Sequence, residues 1–419
     1  MMWNGGPQQM KITTIIGTRP EAIKMAPVLE QLRGSRSLES IVCVTSQHTL
    51  LLQQMLEEFG IVPDYAVDGN RPAGDTVELI GWLVTGLDKI LGEDKPDLVL
   101  VQGDTASVLA GAVAATTLGI PIGHLEAGLR TGDLRSPFPE ELIRSAVSRV
   151  ARYHFVNTPD ASANLLREGV PKHRIFITGS TVVDALRRGR AVIANWGSEE
   201  SRLHYGRKLA ARLQNSERRL ILVTGHRREN LSWRLGEVCS AVATLAKDNP
   251  DWDFVFPVHL NPLVQCQVRP TLEALDNVFL QPPLAYHAFV HLMTLADLIL
   301  TDSGGIQEEA PYLGVPVLVT RDVTDRPESV RAGYAQLVSG DAPAIQRAVK
   351  NSLAHRDSGA KLVPTTDLYG DGRAAQRVVR MLEQIAEQGG LFPTPSRRPF
   401  KKAGVEGLLH ANVRFQEGN

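Results

Sequence analysis

Residues 301–309 read TDSGGIQEE, from Thr301 to Glu309. An apolar, strand-like run (Ala296, Leu298, Ile299, Leu300) precedes them, and Ile306, Glu309, Ala310 and Leu313 follow at helical spacing. Between the two lie Ser303, Gly304 and Gly305, small residues that let a backbone come close to a ligand. Strand, glycine turn and helix start together aim unpaired N–H groups and a positive dipole end at one point, which suits a phosphate. Glu308 and Glu309 come next. A carboxylate one turn into such a helix does not favour the phosphate, but it accepts two hydrogen bonds from a ribose diol beside it. One reading is therefore a nucleotide-diphosphate site. The other is an ordinary strand-to-helix loop with an acidic first turn, and nine residues do not decide between them.

Working outward, the same alternation recurs along the chain. Lys11–Ile16, Ser40–Thr45, Asp97–Val101, Pro121–His124, Tyr153–Val156 and Arg174–Thr178 read as short strands, each with a helical pattern after it. A polar stretch, Asn195–Ser216, follows, and the architecture then repeats with strands at Arg219–Val223, Phe254–Val258, Val278–Leu280, Leu298–Thr301 and Val315–Val319. Continuous apolar runs such as DLVLV belong to parallel sheets covered on both faces. The expectation is an α/β chain of two Rossmann-like, doubly wound parallel-sheet domains facing a cleft. The divisions expected are a disordered leader over 1–10, a first domain over 11–195, a second over 196–373, a helix over 374–388 crossing back to the first, and a flexible tail over 389–419.

The bulk properties fit this plan. A chain of 419 residues is too long for one core. With 43% hydrophobic and 22% charged residues it is ordinary for a globular protein. A net charge of −1 implies no general attraction to nucleic acid or to an anionic membrane, so any anion site is local. No apolar run reaches the length of a membrane span. Cys43, Cys239 and Cys266 are odd in number and far apart, which fits reduced thiols and a cytoplasmic location better than disulfides or zinc.

The candidate functional loops, GTRPE, QGDT, HLEAG, TGHRREN and TDSGG, all follow strands, where ligands sit in such sheets. The second half offers phosphate and ribose groups: His226, Arg227, Ser303–Gly305 and Glu309. The first half offers carboxylates, Asp104, Glu126 and Glu140, with Arg19 and Lys24 nearby. Carboxylates sharing a cleft repel one another and separate in pKa, so one can act as base and another as acid. Glu140 and Arg144 are four apart and can pair along a helix face. Each has a plainer alternative: Asp104 and Glu126 could cap local turns, and His226 could sit in a solvated one.

Collectively the motifs are familiar. GTRPEAIKMAP (Gly17–Pro27), GDT (Gly103–Thr105), GHLEAGLRTGD (Gly123–Asp133), SPFPEE (Ser136–Glu141), TGHRREN (Thr224–Asn230), PVHLNP (Pro257–Pro262), TDSGGIQEEAP (Thr301–Pro311), RDVTDRPE (Arg321–Glu328) and YGDG (Tyr369–Gly372) resemble the non-hydrolysing bacterial UDP-N-acetylglucosamine 2-epimerases. The resemblance implies the GT-B fold, a UDP-sugar substrate, a homodimer, no cofactor and no metal. It also implies interconversion of UDP-GlcNAc and UDP-ManNAc through elimination of UDP to 2-acetamidoglucal and its re-addition. Carried over by motif position, Asp104, Glu126 and Glu140 are the catalytic carboxylates and His226 the phosphate-side histidine. Arg19 and Lys24 are basic active-site residues, Ser303 and Gly304 diphosphate contacts, and Glu309 the ribose contact. Three rivals remain: a hydrolysing 2-epimerase, a glycosyltransferase of the same fold, and a non-catalytic nucleotide-sugar sensor.

The sequence departs from the family at Ile143, where Asn is usual, at Ser232, where Gly is frequent, and at Thr49 and Leu50, where an Arg and a polar residue are usual. Bacterial members are typically activated by a second UDP-GlcNAc, held in part by the Gln47-His48 segment, with Arg227 and His259 further contacts. Thr49 carries no positive charge and Leu50 no hydrogen-bonding group. Losing one charge-assisted contact costs about 1.5–3 kcal/mol, or about ten- to a hundredfold in affinity. The departures predict turnover of pure UDP-ManNAc without a long lag. Progress curves with and without a trace of UDP-GlcNAc measure this, and strong stimulation by the trace would overturn it.

Overall fold

The computed structural model describes residues 9–45, 49–69, 72, 76–225, 233–357 and 368–388. The first half runs β1 (Met10–Ile16), α1 (Arg19–Arg33), β2 (Leu38–Val44), α2 (Thr49–Glu58), β3 (Tyr65–Ala66), α3 (Thr76–Asp94), β4 (Leu98–Gln102) and α4 (Ala106–Thr117). It continues with β5 (Ile122–Leu125), α5 (Glu140–Val150), β6 (Tyr153–Val156), α6 (Pro159–Arg167), β7 (Ile175–Ile177) and α7 (Thr181–Ile193). The second half comprises α8 (Ser198–Leu213), β8 (Arg219–Val223), α9 (Arg234–Asp248), β9 (Trp252–Pro257), α10 (Pro262–Leu272), β10 (Val278–Gln281) and α11 (Tyr286–Leu295). After these come β11 (Leu298–Thr301), α12 (Gly304–Leu313), β12 (Val317–Val319), α13 (Pro327–Arg331), β13 (Ala335–Leu337), α14 (Ala342–Asp357) and α15 (Ala374–Glu387).

Two wholly parallel sheets result. The first has seven strands in the order β3-β2-β1-β4-β5-β6-β7, and the second six in the order β10-β9-β8-β11-β12-β13. Each is the doubly wound arrangement expected from the alternating pattern. The central strand β4 is buried at every residue, as a strand covered on both faces must be. One face of the first sheet packs on α3, α4 and α5, the outer face of the second on α9, α10 and α14. The remaining faces share one apolar cluster, in which Met25 and Leu29 of α1, Leu186 of α7, Leu292 of α11, Ile306 of α12 and Leu382 of α15 are all buried. Helix α7 packs on α1, α11, α12 and α15, so it joins the two halves.

Several details differ from the sequence reading. The first strand starts at Met10, which pairs with Leu38, one residue earlier than the Lys11 expected from the sequence. Strands β3 and β13 escaped notice because edge strands of two and three residues carry too short a pattern. The polar stretch after Asn195 is mostly helical: α8 buries Tyr205 and Leu209 on one side, and the Tyr205 hydroxyl donates to the Ala288 carbonyl at 2.8 Å. Helix α15 lies against α1 and β2, and Asp184 of α7 caps its start by accepting from the N–H groups of Ala374 and Ala375 at 3.0 and 2.9 Å. No helix among the described residues is long and apolar enough to cross a membrane.

Candidate active site

The loops after β1, β4, β5 and β11 converge where the halves meet. Gly17 follows β1 and lies so close to α4 that a Cβ there would stand 1.9 Å from Ser107 Oγ and 2.5 Å from Thr45 Oγ1. Only glycine permits that approach. Glu21, one turn into α1, accepts from the N–H of Gly17, from that of Thr18 at 3.1 Å, and from the Thr105 hydroxyl. It thus fastens the β1 loop to the β4 loop. Thr105, not Asp104, is the N-cap of α4. Asp104 is left with its side chain partly exposed and accepts from Arg144 Nη2 at 2.6 Å.

Glu126 follows β5 with φ 60, a left-handed backbone that a non-glycine residue adopts at a cost of about 1–2 kcal/mol. Its carboxylate is buried and fully engaged. Oε2 receives Lys24 Nζ and Gln102 Nε2, and Oε1 receives Arg326 Nη2 at 2.5 Å. Arg326 comes from the second half. Its Nε donates to Glu308 at 2.9 Å and its Nη1 to Asp325. Asp325 also accepts from Arg144 Nη1 at 2.7 Å, which links Arg326 back to Asp104. The first-half carboxylates therefore reach the second half through two guanidinium groups.

Burial raises the Glu126 carboxyl, Lys24 and Arg326 oppose that rise, and Glu308 adds to it. Burial works against the charges of Lys24 and Arg326, but their carboxylate neighbours outweigh it and both stay above their ordinary values. Arg144 is likewise held charged by Asp104 and Asp325 against burial. Glu140 is the first residue of α5, one turn ahead of Arg144 and half-buried.

Ser303, Gly304 and Gly305 form the start of α12, Ser303 as its N-cap. Glu309 is buried in the second turn and accepts from the Tyr286 hydroxyl at 3.0 Å. Arg19 reaches across from the first half, its Nη2 donating to the Leu284 carbonyl at 2.7 Å. Glu58 supports the same corner, accepting from the N–H groups of Tyr286 and His287 at 2.8 Å each. His259 lies in the loop after β9, where its Nδ1 accepts from the Asn261 N–H at 3.1 Å. Gln47, His48, His226 and Arg227 lie outside the described residues.

Residues 30–383 match the family described as UDP-N-acetylglucosamine 2-epimerase. The chain belongs to that family. A UDP-N-acetylglucosamine 2-epimerase of Yersinia pestis is 46% identical over 374 residues, covering 89% of this chain and 98% of the relative. One from Escherichia coli K12 is 46% identical over 376 residues, with the same two shares. The crystal structure of the Neisseria meningitidis enzyme bound to UDP-GlcNAc superposes with a TM-score of 0.85 at 39% identity, covering 90% of this chain and all of that one (100%). The two-sheet architecture is thus the GT-B-like one of the 2-epimerase family.

Arg326, Asp325, Glu308, Gln102 and Glu21 hold the cluster together, yet none was singled out as a site residue. Arg326 and Asp325 stood inside RDVTDRPE, one of the motifs quoted for the resemblance, which was the available signal. Arg144 was read as a partner for Glu140 by spacing; its two terminal nitrogens go to Asp104 and Asp325.

Burial raises both Glu21 and Glu309 to about 7. Unfolded glutamates titrate near about 4.3, so the folded chain binds these protons more readily. The stability they contribute is complete below about pH 4 and is lost as pH rises through about 7. Glu21→Gln and Glu309→Gln should each flatten the decline in unfolding free energy between about pH 4 and 7, by on the order of 1–3 kcal/mol. Urea denaturation at stepped pH measures this; wild-type slopes in both variants would overturn the assignment.

Proposed function

We propose that the chain reversibly epimerises UDP-N-acetylglucosamine at carbon 2 to UDP-N-acetylmannosamine, by elimination of UDP to 2-acetamidoglucal and re-addition. The observation that carries this reading is the meeting of Glu126, Lys24 and Arg326 beside the phosphate-suited start of α12. The hydrogen on carbon 2 is not next to a carbonyl, so direct deprotonation is very costly. Breaking the anomeric C–O bond places positive charge beside that carbon and acidifies its hydrogen. Such a step needs acid and base groups near both sugar faces and a held leaving group. It is redox-neutral and needs no hydride carrier.

In this reading Asp104, Glu126 and Glu140 move protons, with His226 beside the phosphates. Ser303, Gly304 and Gly305 hold the diphosphate and Glu309 the ribose, while Arg19, Lys24, Arg144, Arg227 and His259 supply positive or polar contacts. Gln47 and His48 belong to an effector site. Residues 11–195 form the catalytic-carboxylate domain and 196–373 the UDP-binding domain, in a cytoplasmic homodimer. The free thiols of Cys43, Cys239 and Cys266 agree with that location.

Incubation with UDP-GlcNAc alone in deuterated water, followed by NMR, tests the reaction. The expected product is UDP-ManNAc with deuterium at carbon 2. Retention of the original hydrogen rules out this elimination–addition, free ManNAc with UDP assigns a hydrolysing enzyme, and no turnover leaves a binding protein.

Two variants separate binding from chemistry. Glu309→Ala should weaken UDP binding by roughly 1.5–3 kcal/mol. Asp104→Asn should abolish turnover with UDP affinity nearly intact, because Asp104 belongs to the first-half cluster. Calorimetry with UDP decides; equal loss of binding and turnover in Asp104→Asn would show this division of labour to be wrong.

A further inference from the structure

Glu308 is fully buried, yet it is not one of the residues to which the reaction assigns a task. Four donor contacts from three residues converge on its carboxylate, and two of those residues come from the other half of the chain. Ser180, in the loop after β7, donates its hydroxyl to Oε2 at 2.5 Å. Asn157, in the loop after β6, places Nδ2 at 3.3 and 3.4 Å from the two oxygens. Arg326 Nε closes the set at 2.9 Å. The contacts from Ser180 and Asn157 exist only while the halves meet. The same guanidinium reaches Glu126 through Nη2, and Glu126 in turn holds Lys24. A continuous chain of alternating charge, Glu308–Arg326–Glu126–Lys24, thus begins at a contact between the halves and ends among the proposed catalytic groups.

We propose that Glu308 is a positioning residue for the reaction: it holds Arg326 against Glu126 and ties the meeting of the two halves to the charge placed on that carboxylate. The inference rests on the epimerase reading for its catalytic consequence, but the positioning itself can be measured without turnover. The charged and titratable groups facing this chain are Lys24 from α1, His124 from β5, Arg144 from α5, Glu308 and Glu309 from α12, Arg326 and Asp325 from the loop before α13, and Tyr369. Neutralising Glu308 removes a negative charge near Glu126 and leaves Arg326 shared by two carboxylates instead of three. Both changes favour the ionised form of Glu126, in agreement with Glu308 raising its proton affinity in the intact chain.

The experiment labels glutamate carboxyl carbons with 13C in the full chain and follows Glu126, assigned by its loss in Glu126→Gln, through a pH titration. In Glu308→Gln the Glu126 signal should titrate at lower pH than in wild type. In Glu308→Asp, which keeps the charge, it should remain at the wild-type position. In Ser180→Ala, which keeps the charge and removes a compensating donor, it should move to higher pH. Turnover of UDP-GlcNAc by Glu308→Gln should fall at least about tenfold in kcat, with UDP affinity changed by less than about threefold. Identical titration of Glu126 in wild type and Glu308→Gln overturns the proposal, as does an equal shift in Glu308→Gln and Glu308→Asp, which would indicate packing alone. Should Glu308→Gln fail to fold, Ser180→Ala decides, and no upward shift there overturns it. If wild type leaves UDP-GlcNAc unconverted while the NMR shifts stand, the proposed reaction falls and the positioning role remains. If it converts the substrate without those shifts, the positioning role falls alone.

Discussion

Everything at the junction of the two halves depends on a buried guanidinium. Arg326 is 4% exposed, and each of its three nitrogens donates to a different carboxylate: Nε to Glu308, Nη1 to Asp325 and Nη2 to Glu126. Removing such an ion from water costs several kcal/mol, and only close, well-directed partners offset that. Arginine meets the requirement where lysine would not, since its planar fork points donors in fixed directions. The arrangement is also fragile. Deleting any one carboxylate leaves a charge short of a partner in a dry site, which is far more disruptive than losing a surface pair.

Sheet topology explains how residues two hundred positions apart reach one guanidinium. Parallel strands deliver their following loops to one edge, and two such sheets placed edge to edge bring two sets of loops together. Helix α7 keeps the edges aligned, being packed on α1 from the first half and on α11 and α12 from the second. The left-handed backbone of Glu126 is consistent with this convergence. A strained residue persists when its surroundings over-determine it, and three donors on one carboxylate do so.

The alternating strands were legible because their pattern is local: β6, β8 and β11 fall where the apolar spacing put them. The phosphate-suited turn at Ser303–Gly305 and the strand-end carboxylates Asp104 and Glu126 were legible for the same reason, each following a recognisable strand. What escaped is long-range. Glu308 and Glu309 are adjacent on a helix and chemically identical, yet one faces Ser180 and Arg326 and the other Tyr286. No spacing rule distinguishes them. Likewise, helical spacing gave Arg144 a partner in Glu140, whereas its hydrogen bonds go to Asp104 and Asp325 on other elements and the carboxylate near it on its own helix is Glu141, 3.6 Å from Nη1, since a fold-wide network outweighs an i,i+4 pair worth a few tenths of a kcal/mol.

Gly304 shows how the two kinds of information combine. In the sequence it reads as a residue that lets a ligand approach the backbone. In the structure its Cα faces the guanidinium of Arg326, and a Cβ there would stand 2.7 Å from Nη1 and 2.8 Å from Cζ. That is the rigid, fully engaged part of the side chain, not a flexible tip able to move aside. A methyl group at position 304 would therefore displace Arg326, and with it the contacts to Glu126 and Glu308, before any ligand arrived. The charge network by itself therefore requires the glycine. The cation that neutralises Glu126 also abuts the start of α12, so a side chain at position 304 would disturb the glycine turn and the partner of that carboxylate together.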